Sequence, residues 1–509
     1  MARDYFSGEG LLVLLAIVVF LLVLGCSHNP TRAQFPPGPE SIPLLGSVHK
    51  LPLEFQEKRF FRWGKQYGDV IYLRLFRTPT IVLNSFQAAT DLLTKRSAKY
   101  SDRPRMVLLA ELMGHESSLP PMPYGERFRK HRRWMHEAIG TKEKLESYRT
   151  IQLREAHNLV RNLLNTPGRF LEHLHLYVGA TMLEITYGRR ITSLEDELVA
   201  VADRAIEGVN NAGTPGSMIV DFFPVLKGLP EWMPGAGFKR SALEVRRYVQ
   251  AWKDTGYAQV RAAMSSGDAP ACVTATLLEE VGGRPSPDEA EDIKGLGCSV
   301  YGAGIETTRG ALATFFLAMT RHPDVLHKAQ CEVDKAVGKE RLPDFGDRRS
   351  LPYIDAMLEE LYRWNPPLPL AIPHRAMADD EYRGYTIPRG CMMMPNIWAM
   401  SRDGDWYNDP EEFRPERHLE TFRGNSPPPS EYVFGFGRRV CPGQAFADAT
   451  LWLAIATIVA AFDIGIPVDS EGDEHMPPPA FQPGFTSQPK PFSCRITSRC
   501  RAPATDVAK

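Results

Sequence analysis

The spacing of apolar positions changes several times along this chain, and each change predicts a different element. Residues 11–25 read LLVLLAIVVFLLVLG, an apolar run with no charge and no polar face at any period. With Gly10 and Cys26 it would span about 24–26 Å as a helix, near the thickness of the thinner reticulum bilayer. A cleaved secretory leader is the competing reading, but Arg3 is offset by Asp4 and Glu9, and no small-x-small cleavage site follows. His28, Arg32 and Lys50 come after the run. Positive charge on that side predicts a lumenal N-terminus over residues 1–10, a single transmembrane anchor over 11–26 and a cytosolic body. Phe35-Pro36-Pro37-Gly38-Pro39 and Ile42-Pro43-Leu44-Leu45-Gly46 then forbid a continuing helix and stiffen residues 27–50 into a hinge that sets how the body sits.

Residues 51–509 contain no internal repeat and no low-complexity tract, which predicts one body. Short β-like runs at 70–75 and 80–83 precede long stretches of helical period. The clearest helix opens at Ser286-Pro287-Asp288-Glu289: Ser286 caps, Pro287 suits the first helical position, and Glu289 completes a capping box. It continues through Leu296, Val300, Ile305 and Leu312 to Arg321, where His322-Pro323 stops it. That is roughly twice the globular average, so the helix should cross the body. The expected fold class is mainly α with a small β-sheet region near the N-terminal side, preceded by one transmembrane helix.

Composition narrows the function. Lys+Arg is 60 and Asp+Glu is 61, so no basic excess exists to gather a polyanion and nucleic-acid binding has no electrostatic support. The 8 cysteines show no CxxC pair and no zinc-like spacing, which reads as reduced thiols. The lone Asn-x-Ser/Thr match, Asn29-Pro30-Thr31, is disqualified by its proline. Both observations favour a body on the cytosolic side.

The candidate chemistry centres on Phe434-Gly435-Phe436-Gly437-Arg438-Arg439-Val440-Cys441-Pro442-Gly443. Gly435 and Gly437 allow a tight turn whose backbone can lie against a flat cofactor. Pro442 suits the first position of the helix QAFADATLWLAIATIVAAF. A cysteine at a helix N-terminus beside two arginines is expected to have a lowered pKa, and its thiolate is the metal-binding form. A buried structural cysteine in a Gly-rich loop is the bland alternative.

This segment resembles the haem-binding signature of the cytochrome P450 family, and further matches follow in the family's order. Glu360-Leu361-Tyr362-Arg363 resembles its E-x-x-R, with Glu and Arg on one helix face. The resemblance implies that Glu360 and Arg363 join Arg417, in Pro415-Glu416-Arg417-His418, to brace the haem-side core. Ala303-Gly304-Ile305-Glu306-Thr307-Thr308 resembles the oxygen-binding groove. There Gly302, Ala303 and Gly304 would clear space for a ligand, Thr307 would position water and oxygen, and Glu306 would supply protons. Tyr124-Gly125-Glu126-Arg127-Phe128-Arg129-Lys130-His131-Arg132 resembles the W-x-x-x-R helix with one departure. Phe128 stands where a tryptophan usually donates its N–H to a haem propionate, whereas Arg132 keeps the charge, the stronger contact.

The same resemblance implies haem contacts from Arg132, His374, Arg439, Phe434 and Gly443, with Cys441 as the iron's axial ligand. It further implies a monooxygenase that draws NADPH-derived electrons from a membrane-bound flavoprotein reductase, since no Gly-x-Gly-x-x-Gly follows a convincing strand. Arg129, Lys130, Arg133 and Arg438 are candidates for the reductase-docking face. The pattern is most similar to fungal microsomal members of secondary metabolism, an impression strengthened by residues 221–240. The expected localisation is the endoplasmic reticulum membrane, single-pass. The candidate pocket walls (106–122, 209–223, 300–307, 368–372, 485–486) are mostly apolar, which suits a lipophilic terpenoid or polyketide-derived substrate. Three alternatives stand beside this reading: peroxide rearrangement without a reductase, a tethered haem carrier, and a broad xenobiotic-oxidising member of the same family.

Overall fold

The computed structural model describes residues 34–213, 218–268, 270–421, 424–469 and 471–499. The expected anchor over 11–26 therefore lies outside the described residues. The hinge is described from residue 34, and there it lies on the body. Tyr72 N–H donates to Pro37 O (3.1 Å), Ser47 N–H to Arg74 O (2.6 Å), and Phe35 stacks on Tyr72 with ring centroids 4.4 Å apart. A Cβ on Gly38 would run into the carbonyl of Tyr72, so the chain touches the strand at the closest approach a backbone allows.

That strand belongs to a small sheet. β1 (Val70–Leu75) and β2 (Thr78–Leu83) cover the two expected β-like runs and pair antiparallel as a hairpin. Further along the chain come β3 (His374–Arg375), β4 (Asp380–Tyr382), β5 (Tyr385–Ile387), β6 (Met392–Pro395), β7 (Phe462–Gly465) and β8 (Arg495–Ser498). The main sheet runs β1-β2-β6-β3, with β6 parallel to β2 and β3 antiparallel to β6; β4–β5 and β7–β8 are separate pairs. Pairing of His374 with Met393 carries a histidine from mid-chain to the N-terminal hairpin's sheet.

Helices make up the rest, and seven of them frame the site: α1 (Glu126–Met135), α2 (Phe170–Tyr187), α3 (Glu197–Asn211), α4 (Gly237–Ser266), α5 (Pro287–Arg321), α6 (Pro352–Trp364) and α7 (Gln444–Ala461). α5 has the expected start and end. Ser286 Oγ accepts from Glu289 N–H (3.3 Å), Glu289 Oε2 accepts from Ser286 N–H (2.8 Å), and Pro323 opens the next helix. Its 35 residues make a rod about 52 Å long that crosses the body. α7 is apolar on every side, and from Thr450 to Ala461 every residue is buried. Among the described residues it is the one helix long and apolar enough to cross a membrane, and it lies inside the core.

Two sequence expectations fail here. Pro442 is not the first residue of α7: the helix is capped by Gly443 and begins at Gln444, leaving Cys441-Pro442 in the preceding turn. The glycines of α5 do not clear ligand space either. A Cβ on Gly302 would press on Trp252 of α4, and one on Gly304 on Met182 of α2, so their smallness serves helix–helix approach.

Candidate functional site

Cys441 sits at the end of a turn that the two expected glycines make. Gly435 and Gly437 have φ of 85° and 56°, and a Cβ on Gly437 would strike Leu93 O. Cys441 N–H donates back to Phe434 O (2.8 Å), while the Phe434 ring packs edge-on against Tyr362 at 5.3 Å. The thiol is pushed up by burial, contrary to the expected lowering; a backbone N–H at Gly443 and the charge of Arg132 oppose that push. The arginines beside it in sequence point elsewhere. Arg438 donates to the Tyr124 hydroxyl (2.6 Å) and Arg439 to distant carbonyls. Burial raises a thiol, and a nearby cation counters that rise. Among the described residues no group of three His, Cys, Asp or Glu could hold a bare ion.

Around this turn lie three guanidiniums and an imidazole: Arg103, Arg439 and His374 are buried and Arg132 is half-buried. Arg439 Nε donates to Ser101 O (2.7 Å) and Nη2 to Met122 O (2.8 Å), whereas its buried Nη1 has no partner. Arg132 Nη1 donates to Val440 O (2.7 Å). Arg103 Nη1 donates to Ile372 O (2.5 Å) and Pro373 O (2.8 Å). His374 Nδ1 donates to Tyr100 O (2.8 Å), which leaves Nε2 free. Burial holds Arg439 down at about 10, and it lowers Arg132 and, well below their ordinary values, Arg103 and His374; the neighbouring positive charges add to the effect on Arg439, Arg103 and His374. Asp102, whose charge favours the charged forms of Arg439 and Arg103, already accepts from Arg375 Nε (2.9 Å) and Tyr124 N–H (2.8 Å). Charge-unbalanced guanidiniums with one unspent donor fit a buried dianionic ligand. The two propionates of a haem meet that description, so the residues fit the group.

On α5, Ala303 is exposed and Thr307 half-buried on a helix whose other faces are packed, so they line internal space. Thr307 Oγ1 donates to Ala303 O (2.7 Å). Glu306 turns away from it. Its carboxylate accepts from Asn210 Nδ2 (2.7 Å) at the end of α3, from Gln488 Nε2 (2.6 Å) and from Arg309 Nη2 (2.7 Å). The expected acid–alcohol pair is adjacent in sequence but is not joined by a direct hydrogen bond.

The Glu360–Arg363 pair is brought together as expected and is wholly buried, at 2.7 and 2.8 Å. Glu360 also accepts from Arg417 Nε (3.2 Å), His418 Nε2 (2.8 Å) and Arg414 N–H (2.7 Å), and Arg363 donates to the carbonyls of Ser401, Pro410 and Glu412. Burial would raise the carboxyl, but its basic partners prevail and hold it at about 2. Of the expected docking cations, Arg129, Arg133 and Arg438 are exposed, whereas Lys130 is turned onto Asp292 of α5, which Arg127 and His131 also contact.

Sequence reasoning missed Arg103, Asn210, Gln488 and His418. His418 had a signal, standing beside Arg417. The others look like ordinary polar residues until the fold gives them partners: Arg103 is buried among carbonyls, and the half-buried Asn210 and Gln488 meet Glu306. Two candidate walls do meet: Leu108, Leu109 and Met113 face Val209, Ala212 and Met218 across a narrow cleft. Asp221 closes one end, its two oxygens accepting from Leu108 N–H (3.0 Å) and Met218 N–H (3.1 Å).

The chain is similar to known proteins over nearly its whole length. A family model described as Cytochrome P450 matches residues 36–496. Cytochrome P450 monooxygenase 176 of Postia placenta is 44% identical over 472 residues, 92% of this chain and 91% of that protein. Cytochrome P450 monooxygenase 136 of the same fungus is 41% identical over 506 residues, covering 98% and 95%. Tryptamine 4-monooxygenase of Psilocybe cyanescens is 37% identical over 499 residues, covering 96% and 98%.

Proposed function

The chain belongs to the cytochrome P450 family, an oxygen-using oxidoreductase with thiolate-ligated haem and NADPH-derived electrons delivered by a reductase, and on that premise we propose that it hydroxylates a neutral, lipophilic small molecule in secondary metabolism with Cys441 as the iron's ligand. The balance is substrate-H plus O2, two electrons and two protons giving substrate-OH and water. The observation that carries the assignment of Cys441 is its turn, set among the guanidiniums of Arg103, Arg132 and Arg439, where the buried Arg439 Nη1 has no partner.

Haem, when bound, would supply an iron for the activation of O2, chemistry that thiolate donation favours. The protein's part is positioning and proton supply. Arg439, Arg132, Arg103 and His374 would hold the propionates, and Phe434 and Gly443 shape the turn that presents Cys441. Thr307, whose hydroxyl donates to Ala303 O, is the alcohol that would position water and oxygen, and the Glu306 carboxylate, held by Asn210, Gln488 and Arg309, would relay protons on release from these partners. The Glu360–Arg363–Arg417 knot keeps the core on the thiolate side rigid.

A neutral substrate is favoured by the cleft. Its lining side chains Leu108, Leu109, Met113, Val209, Ala212 and Met218 are apolar, which suits a lipophilic molecule better than a strongly charged one. Residues 11–26 anchor the enzyme in the reticulum membrane beside its flavoprotein reductase, and Arg129, Arg133 and Arg438 face that partner.

The test is spectral, then chemical. Reduced protein under carbon monoxide should give a strongly red-shifted Soret band, and Cys441→His should abolish it. A histidine-type spectrum in the unaltered protein would remove the assignment. The reductase-coupled enzyme should then consume NADPH in step with oxidation of a lipophilic component of the producing organism's extract, and turnover of no such component would overturn the substrate reading.

A further inference from the structure

We infer that Phe128 is a positioning residue for the haem propionates, acting through Arg439; this rests on the proposed haem site. The guanidinium carbon of Arg439 lies 3.7 Å from the centroid of the Phe128 ring, and the two side chains are only 8% and 3% exposed. A guanidinium is planar, with its donors directed outward in that plane. The ring covers one face of it and fixes the plane. Carbonyls of Ser101 and Met122 take Nε and Nη2 and fix the rotation within that plane. Nη1 is then the one donor group left unspent, and its direction is set before any ligand arrives.

An aliphatic side chain would fill the same volume without this effect. Arg439 is pressed by the positive charges of Arg132 and Arg103, and the negative face of an aromatic ring offsets part of that repulsion. Phe128 is itself held, 5.5 Å from the Tyr124 ring. The residue that departs from the W-x-x-x-R pattern thus exchanges a direct N–H contact for an indirect one. A phenyl group donates nothing to a propionate, but it holds in place the arginine that does.

The experiment is haem transfer from the intact holoprotein to excess apomyoglobin, followed by absorbance, for wild type, Phe128→Leu, Phe128→Tyr, Arg439→Gln and the Leu/Gln double variant. Phe128→Leu should release haem about 3- to 30-fold faster, the range expected for a buried cation–π contact. Phe128→Tyr, which keeps the ring face, should stay within about 2-fold of wild type. The double variant should lose haem no faster than Arg439→Gln alone, because Phe128 then has nothing left to hold. Effects that multiply in the double variant, or a wild-type rate for Phe128→Leu, would overturn the inference. Circular dichroism melting of each apoprotein checks folding, and Phe128→Met replaces the leucine variant if that fails to fold. The carbon monoxide spectrum of the wild type reports thiolate ligation separately. A normal spectrum with an unchanged rate for Arg439→Gln sinks only this inference, whereas loss of the spectrum sinks the haem site itself.

Discussion

Two buried ionic regions of this protein obey opposite rules. Around Glu360 and Arg363 both side chains are fully buried, yet the carboxylate has four partners and the guanidinium five acceptor contacts, so the charges close on themselves. The guanidiniums of Arg103, Arg132 and Arg439 and the imidazole of His374 rest on carbonyl oxygens, the one nearby carboxylate is spent on other donors, and the buried Nη1 of Arg439 has no partner. The first region is complete within the chain. The second leaves positive charge that the chain itself does not balance. Burial alone therefore does not separate architecture from function; the local balance of charge does.

The largest expected effect comes from opening the closed region. Glu360→Gln leaves Arg363 buried without a counter-charge and should cost roughly 3–5 kcal/mol in urea unfolding, with haem present or absent. Loss of under about 1 kcal/mol would show that backbone carbonyls suffice. The same carboxyl gives the region a pH signature. Its folded pKa, about 2, lies below the ordinary 4.5, so its contribution is full above that ordinary value and fades as pH falls from 4.5 toward 2. Acid titration of stability should show that loss in the wild type and a flatter profile in Glu360→Gln.

The open region should respond differently. Arg103→Met removes a buried cation that lacks its own counter-ion, so the apoprotein should melt at an unchanged or higher temperature. The holoprotein should release haem about 10- to 100-fold faster, as expected for a charged hydrogen bond to a buried anion. A variant that weakens both forms alike would place Arg103 with the closed architecture.

The smallest effect is expected at an ionic clasp on the surface, where neither rule applies. Glu111 accepts from Arg105 Nε (2.5 Å) and Lys227 Nζ (2.7 Å), tying the 105–113 wall of the cleft to the segment beyond Asp221, and these partners hold its carboxyl near 2. Glu111→Gln should raise the association rate of a bulky azole by about 2- to 5-fold, measured by the haem spectral change, and leave that of cyanide unaltered. Equal acceleration of both ligands would mean that the clasp does not gate the cleft.

Several features of this molecule were legible in one dimension because they are local. The caps of α5, the hairpin β1–β2 and the turn before Cys441 each depend on neighbours within a few residues, where backbone geometry and hydrogen bonding leave little choice. The partnership of Glu360 and Arg363 is also local, one helical turn apart, and it was read correctly as a pair.

Other features were settled by what the chain meets at long range. Gly302 and Gly304 proved to be contact points for Trp252 and Met182, because which way a helix face points depends on the helices around it. Glu306 was separated from Thr307 by partners about a hundred residues before it and nearly two hundred after it. Arg103 has no local mark at all; its environment is made by carbonyls more than 260 residues downstream. The thiol of Cys441 was expected to be low from its neighbours in sequence and is raised by burial. The sequence by itself determined which residues cap, turn and pair with close neighbours, since those energies act over one or two turns of chain. Tertiary structure alone decided which charges balance and which are left over, since desolvation and net charge depend on everything that surrounds a group in three dimensions.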